Sequence, residues 1–490
     1  MTPETGLSAR YGHFPPRPGL HPRQETPLDV RTQRAIALLV AGCFFMENLD
    51  GTILTTAAPS IARDLGTSST AVGLAVTAFL LTVAVLIPVS GWLTDRFGAK
   101  RIFATAIAIF TIASILCALS SSLPMLVGFR VLQGVGGALM VPVGRLAVLR
   151  VTPKERLIQA IALLTWPALA APIIAPFLGG VITQYASWHW IFLINVPVGI
   201  VAFIVAVRIV PDFTADDVPP LDWLGLSLSG VGLASLLVAA SLVSGIGFDA
   251  FWFTTSLIVG VALLGAAVRH LLRAEHPFVD LRALRVETFR LANAGGSVYR
   301  LTISAVPFLL PLLFQDAFGW TPVQAGSMVL FLFAGNLAIK PATTWMLRRF
   351  GFRLVLVGSN VIGVLCMVAM AFLTSDTSIV VMAALLFLSG VARSIGFTAY
   401  NTITFADIEP PDMSRANTLN STLQQVASGF GVAIGAILLS TGFSLEDGFD
   451  GGLLLPYQFA FLAIAVLTLF PTIEAWLLSR AAGHSVIGAR

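Results

Sequence analysis

An all-α protein built into a membrane is the fold class this chain predicts, and three properties predict it. The first is composition. Of 490 residues, 56% are hydrophobic and only 11% charged, with a mean hydropathy of +0.88; a soluble domain carries about 25% charged residues. The second is a recurrence of apolar runs along the whole length, each ended by a short polar or Gly/Pro stretch. A bilayer core takes about twenty apolar residues per helix, which is the length of these runs. The third is a rule of hydrocarbon solvents: every peptide group must be bonded within its own segment, so the runs are helices and not strands.

Taken in order, residues 1–33 carry HFPPRPGLHPRQ and no apolar core, so they read as a disordered cytoplasmic tail without a signal peptide. Six spans follow at 34–58, 70–93, 103–120, 124–147, 157–183 and 190–210, forming an N-terminal bundle over 34–211. Two more, 222–243 and 251–271, fall in a linker over 212–288. The last six, at 289–314, 323–347, 354–373, 378–400, 416–440 and 456–478, form a C-terminal bundle over 289–478, ahead of a short cytoplasmic tail over 479–490. Fourteen spans put both termini on one side. Alternate connectors collect cations: Arg96, Lys100 and Arg101; Arg150, Lys154 and Arg156; Arg269, Arg273, Arg282, Arg285 and Arg290; Arg348, Arg349 and Arg353. The opposite connectors hold Arg63 and the acids Asp249, Asp316, Asp376, Glu446, Asp447 and Asp450. Cytoplasmic loops are the cationic ones, so both termini are expected in the cytoplasm.

The net charge of +4 follows from this topology and from anionic inner-leaflet lipid, and implies no nucleic-acid partner. The three cysteines, Cys43, Cys117 and Cys366, lie inside spans and imply no disulfide framework.

Four motifs narrow the function. After the second span comes GWLTDRFGAKR, residues 91–101, with Gly91 able to bring helices close and Asp95 placed among cations that could latch two halves and release them. The fourth span reads FRVLQGVGGALMVP, with Arg130, Gln133, Gly134 and Gly137. The fifth reads APIIAPFLGG, in which Pro172 and Pro176 should kink the helix while Gly179 and Gly180 permit tight packing. The first reads FFMENLDGTILTTAAPSIARDLG. There is also an internal echo: RFG at 96–98 recurs at 349–351, Trp92 falling on Trp345 and Lys100 on Arg353.

GWLTDRFGAKR resembles the loop between the second and third helices of the major facilitator superfamily, through Gly91, Leu93, Asp95, Arg96, Gly98, Lys100 and Arg101. The fourth and fifth spans are similar to that superfamily's Arg-bearing helix and to its antiporter helix, although Ala175-Pro176 stands where Gly-Pro is usual. Asp50, Thr52, Ile53 and Pro59 in the first span, with the two added helices, resemble the fourteen-helix drug:proton antiporters. VPVGRLAVLR and SWHWIFLINVPVG place the chain nearest the multidrug-resistance branch. The resemblance implies two six-helix bundles plus two extra helices. It implies a secondary transporter of the bacterial inner membrane, working by alternating access with the proton gradient as its energy source and no cofactor.

The residues themselves place the chemistry in intramembrane charges. Glu47 and Asp50 are three apart, so they share a helix face at about 5–6 Å; mutual repulsion in a dry site favours a proton on one of them. Arg130 is the counter-charge available on the fourth helix, so Asp50, Glu47 and Arg130 are the candidates for proton coupling, with a structural Asp–Arg pair as the competing reading. In the second half Arg300, Lys340 and Arg393 lie in three helices that hold no acid. They either pair across the cavity with Glu47 and Asp50 when the carrier closes, or bind an anionic substrate such as a carboxylate or metal–carboxylate chelate. Asn48, Gln133, Tyr299, Asn336 and Gln424 could line the same path.

No GxxxxGK[ST] loop is present, so the chain encodes no ATP-driven pump. The six histidines form no ligand cluster, and no nucleophile–base pair suggests an enzyme. Three function classes remain: proton-coupled efflux of drug-like molecules, export of organic anions, and a non-transporting membrane sensor. The partners expected are a small-molecule substrate, protons and lipid, for a monomeric carrier.

Overall fold

A computed structural model describes residues 29–153, 157–212, 214, 218, 220–244, 249–409, 412–446 and 452–478. The N-terminal tail to residue 28, Lys154, Arg156, Asp447, Asp450 and the tail after 478 lie outside them. The described residues are helical, with no strand among them. In the first half, α1 spans Val30–Asp64, α2 Ser69–Phe97, α3 Ala99–Ala118, α4 Leu123–Val151, α5 Leu157–Tyr185, α6 Trp190–Leu193 and α7 Asn195–Ile209. The inserted pair is α8, Trp223–Ser244, and α9, Ala250–Leu271. In the second half, α10 spans Glu287–Leu312, α11 Pro322–Ala338, α12 Lys340–Ala371, α13 Ile379–Ile403, α14 Met413–Glu446 and α15 Leu455–Leu477.

Among the described residues, twelve helices are long and apolar enough to cross a membrane, and two apolar helices, Ala170–Tyr185 and Pro322–Ala338, are shorter. Each stands at an expected span. Their starts obey local chemistry. Ser68 accepts from Ala71 N at 3.2 Å at the head of α2, and Asp249 accepts from Phe251 N and Trp252 N at 2.9 and 3.1 Å at the head of α9. Thr321 and Gln324 form a reciprocal capping box before α11, with Pro322 in its first turn.

Two expected spans are broken where they were read as continuous. The span 190–210 is one 20-residue segment, Trp190–Ile209, whose helical hydrogen bonding is interrupted at Ile194, because Pro197 has no N–H for the carbonyl of Leu193. The span 323–347 ends at Ala338 and restarts at Lys340, because Pro341 cannot donate to Leu337; the Ile339 N–H takes that carbonyl instead. Lys340 is therefore the first residue of α12, at a break in the helix. It does not lie in the middle of a helix.

The two halves repeat one packing scheme. α1 packs on α5, α2 on α4, and α3 on α4 and α7; in the second half α10 packs on α14, α11 on α13, and α12 on α13 and α15. The RFG echo is part of this repeat. Gly98 and Gly351 both take positive φ, 93° and 76°, which only glycine adopts cheaply. Just before each, an edge-on aromatic pair recurs: Trp92–Phe97 at 6.1 Å and Trp345–Phe350 at 5.8 Å. The halves meet along α2 with α14 and α5 with α11, while α8 and α9 pack on each other and α8 leans on α2 and α14.

Contact between the halves is lopsided. At one end a single apolar core runs through both, from Leu49, Ile53 and Val72 to Phe308, Phe314 and Phe461. At the end bearing Arg96–Arg101 and Arg348–Arg353, here the basic end, each half has its own core, around Phe103 and Phe110 in one and Phe352 and Ile395 in the other.

Candidate functional site

The first element of the site is a polar knot inside the N-terminal half. Asp50 and Arg130 are both buried, 1% and 0% exposed. Arg130 Nη1 donates to Asp50 Oδ2 in a very short contact. Asp50 Oδ1 accepts from Gln133 Nε2 at 2.9 Å and Asn195 Nδ2 at 2.8 Å. Gln133 also donates to Ser114 Oγ at 2.9 Å and accepts from Arg130 Nη1 at 2.7 Å. Arg130 Nε donates to Ala75 O at 3.3 Å, and the guanidinium lies 4.3 Å from the Phe79 ring centroid. α1, α2, α3, α4 and α7 all contribute, so the knot ties five helices. Such a pair survives in a dry interior when most of its remaining lone pairs and protons are bonded; here Arg130 Nη2 is the atom of the pair left without a partner. Glu47, one turn away, differs: its Oε2 is buried without a hydrogen-bond partner, and its carboxyl carbon would lie 3.5 Å from a Cβ on Gly137.

The second element is a cavity of about 240 Å³ between the halves. Gly51, Thr52, Val76, Leu80 and Pro172 form its N-terminal wall, and Ser304, Phe333, Asn336, Lys340, Arg393 and Ser428 its C-terminal wall. Asp50 is adjacent in sequence to the lining residue Gly51 yet faces the other way, into the knot.

The third element is the cation group of the second half. Lys340 Nζ donates to Thr398 Oγ1 at 3.3 Å, and Arg393 Nη1 to Ile303 O at 3.1 Å. Arg300 is 2% exposed and donates from Nη2 to Asn401 Oδ1 at 2.6 Å. Arg300 and Lys340 both sit beside the Phe397 ring, at 5.6 and 5.7 Å from its centroid. Among the described residues no carboxylate forms an ion pair with any of the three.

Beyond the cavity, at the end where the cores fuse, α5 crosses α11 glycine against backbone. A Cβ on Gly180 would stand 2.4 Å from Pro322 O, and one on Gly326 2.2 Å from Pro176 O. Gln184 Oε1 accepts from Val323 N at 3.2 Å, and Gln315 Nε2 donates to Thr56 O at 2.9 Å. That end is shut between the halves.

A family model for the Major Facilitator Superfamily matches residues 40–272 and 293–487. The chain belongs to the Major Facilitator Superfamily. It is 38% identical over 416 residues to a protein of Escherichia coli O6:H1 named "Putative multidrug resistance protein MdtD", covering 84% of this chain and 88% of that one. The fold is similar to that of a bacterial homologue of the human lysosomal transporter Spinster, solved inward-facing and unoccupied, with TM-score 0.65, 17% identity and coverage of 94% of this chain and 98% of that one. It is also similar to a D-xylose–proton symporter, with TM-score 0.64, 13% identity and coverage of 92% and 99%. The protein is thus a multi-pass transporter of the bacterial inner membrane, not an enzyme, as the motifs implied.

Within this facilitator the candidate residues separate. Asp50, Arg130 and Gln133 come together, but in the knot; Gln133 does not line the cavity. Lys340, Arg393 and Asn336 do line it. Arg300 does not, and neither it nor the other two cations reaches Asp50, which its own half already holds. Asn48 donates to Phe44 O in its own helix at 2.8 Å. Tyr299 donates to Arg393 O at 2.9 Å and sits behind the cavity, and Gln424 Nε2 donates to Asn401 Oδ1 at 2.8 Å. Gly91 was expected to bring helices together, but a Cβ there would meet nothing within 4 Å, because the halves stand apart at the basic end. Gly179 packs on Ile53, and Pro172 and Pro176 lie inside α5.

Several participants escaped sequence reasoning. Asn195 and Ser114 complete the knot; Asn195 lies in SWHWIFLINVPVG, but a neutral amide in an apolar run carries no signal of its own. Asp212 is another. It accepts from Lys100 N at 3.3 Å, approaches Arg101 Nε at 3.9 Å, and fills the space a Cβ on Gly98 would need. It thereby caps α3 at the head of the basic loop, where the unbonded N–H groups favour an anion.

Proposed function

We propose that this facilitator exports drug-like small molecules by alternating access, driven by protons entering as substrate leaves. The observation that carries the reading is the adjacency of knot and cavity. Gly51 and Thr52 line the space between the halves, and the preceding residue, Asp50, is the carboxylate held by Arg130, Gln133 and Asn195. A proton arriving on Asp50 weakens its hold on Arg130, and the shape of the cavity wall at Gly51 answers to that change. The multidrug-resistance name of the relatives supports the substrate class. Both termini in the cytoplasm, fourteen crossings and a monomeric carrier belong to this reading, with Asp95 and the basic loop acting as a latch at the cytoplasmic side. Glu47, with its unpartnered oxygen, is the second acid that could carry the proton.

The test is a liposome assay with an interior pH dye and an imposed gradient. Ethidium should drive proton flux, and Asp50→Asn should abolish it. Gradient-insensitive ethidium flux, unchanged in Asp50→Asn, would sink the coupling. A second reading, export of organic anions or metal–carboxylate chelates, is favoured only by Lys340 and Arg393 on the cavity wall. Flux driven by citrate but not ethidium, and lost in Lys340→Ala, would replace the first reading with it.

A further inference from the structure

We propose that Arg300 is the centre of a binding site for a small inorganic anion of chloride's size and charge, one helical turn from the central cavity toward the basic end. The site is separate from the knot and does not depend on how transport is energised. Three observations carry it.

The first is an excess of donors. Arg300 Nε and Nη1 are buried without an acceptor. The one acceptor that Arg300 has, Asn401 Oδ1, is shared with Gln424 Nε2. A guanidinium presents five N–H groups in a fixed fork, so most of this fork is unanswered by the protein. Leaving a buried charge unbonded is among the costliest arrangements a fold can carry.

The second is charge. Lys340 flanks the same Phe397 ring from its own position, and neither cation has a carboxylate partner among the described residues. The groups gathered here, a guanidinium, an ammonium and the amides of Asn401 and Gln424, are what an anion needs in place of its hydration shell.

The third is access and size. Arg300 on α10 lies one turn from Ser304, and Gln424 on α14 one turn from Ser428. Both serines line the cavity, and Phe397 lies one turn from the lining residue Arg393 on α13. Arg300 on α10, Phe397 on α13 and Gln424 on α14 therefore lie at one level, one turn from the cavity lining. Lys340, Asn401 and Gln424 are half-buried and Lys340 lines the cavity, whereas Arg300 is 2% exposed. A drug-sized molecule does not fit against a group so enclosed, and the proposed occupant is therefore a monoatomic ion. Occupation would neutralise Arg300 and leave Lys340 and Arg393 to face the substrate.

The test reads binding without transport. Full-length protein purified in detergent is unfolded thermally while sodium chloride replaces sodium gluconate at fixed ionic strength. Chloride should raise the Tm saturably, Arg300→Gln should lose that rise, and Arg269→Gln, an exposed arginine of the basic end, should keep it. An equal Tm in both salts, or a chloride effect retained in Arg300→Gln, would overturn the site. Should Arg300→Gln not fold, bromide-soaked crystals of the unaltered protein decide the matter. An anomalous peak against Arg300 supports the proposal, and peaks elsewhere or none refute it. Because no substrate enters either assay, failure of the export reading and failure of this one are told apart.

Discussion

At the scale of single residues, Asp50 and Arg130 are coupled by burial. Removing one partner strands the other charge in a dry site, at a cost of about 3–5 kcal/mol. Asp50→Asn should therefore lower the Tm of the purified protein. Adding Arg130→Met should recover much of the loss, since no charge is then left unpaired; a double variant no more stable than the single would show that the pair does not carry this energy. Asn195→Ala should cost less, about 1 kcal/mol, because it withdraws one hydrogen bond from a carboxylate that keeps two others. How the site's residues read from sequence follows the same physics. A charge in an apolar helix announces itself, so Asp50, Arg130, Lys340 and Arg393 could be singled out. Which of them meet depends on how each helix is rotated against its neighbours, and spacing does not encode that. Pairing of the acids with the cations across the cavity was one of two expectations for the closed carrier; in this structure Asp50 is held by Arg130, Gln133 and Asn195. Asn195, neutral and in no charged context, had nothing to mark it.

At the scale of elements, hydropathy made the helices legible because apolar runs of about twenty residues fit a spanning helix, whereas a barrel strand takes about ten. The breaks at Ile194 and Ile339 were less so, since proline in a membrane helix sometimes kinks it and sometimes ends a segment, and neighbours decide which. Pro172 and Pro176 sit inside a continuous α5, whereas Pro341 coincides with a new start. The crossing of α5 on α11 makes a sharp prediction. With Gly180 replaced by valine, Pro322 O obstructs the new side chain, and the closed end cannot form as seen here. Thr55→Cys, on the cavity wall, should then react with a membrane-impermeant thiol reagent applied from the far side of that closure. The single Thr55→Cys protein should react less. Equal labelling in both would mean that this glycine does not control closure.

At the scale of the whole molecule, two halves of one scheme carry the function, and the inserted pair α8–α9 leans on the outside of their seam. Replacing residues 223–271 with a short flexible linker should leave both halves folded, with substrate flux reduced but measurable in liposomes; complete unfolding would show that the pair is part of the core. The halves are alike in architecture and unlike in charge. In the N-terminal half Asp50 and Arg130 balance each other within the knot, so that pair, while both groups are charged, adds no net charge to a rocking motion. The other half holds Lys340 and Arg393 on the cavity wall with no carboxylate among the described residues to balance them. A membrane potential exerts about 2.3 kcal/mol per elementary charge per 100 mV on whatever fraction of the field such groups cross. If the export cycle proposed above holds, the return stroke of the empty carrier becomes a voltage-dependent step, slowed or hastened by the cell's own electrical polarity even when no substrate is aboard.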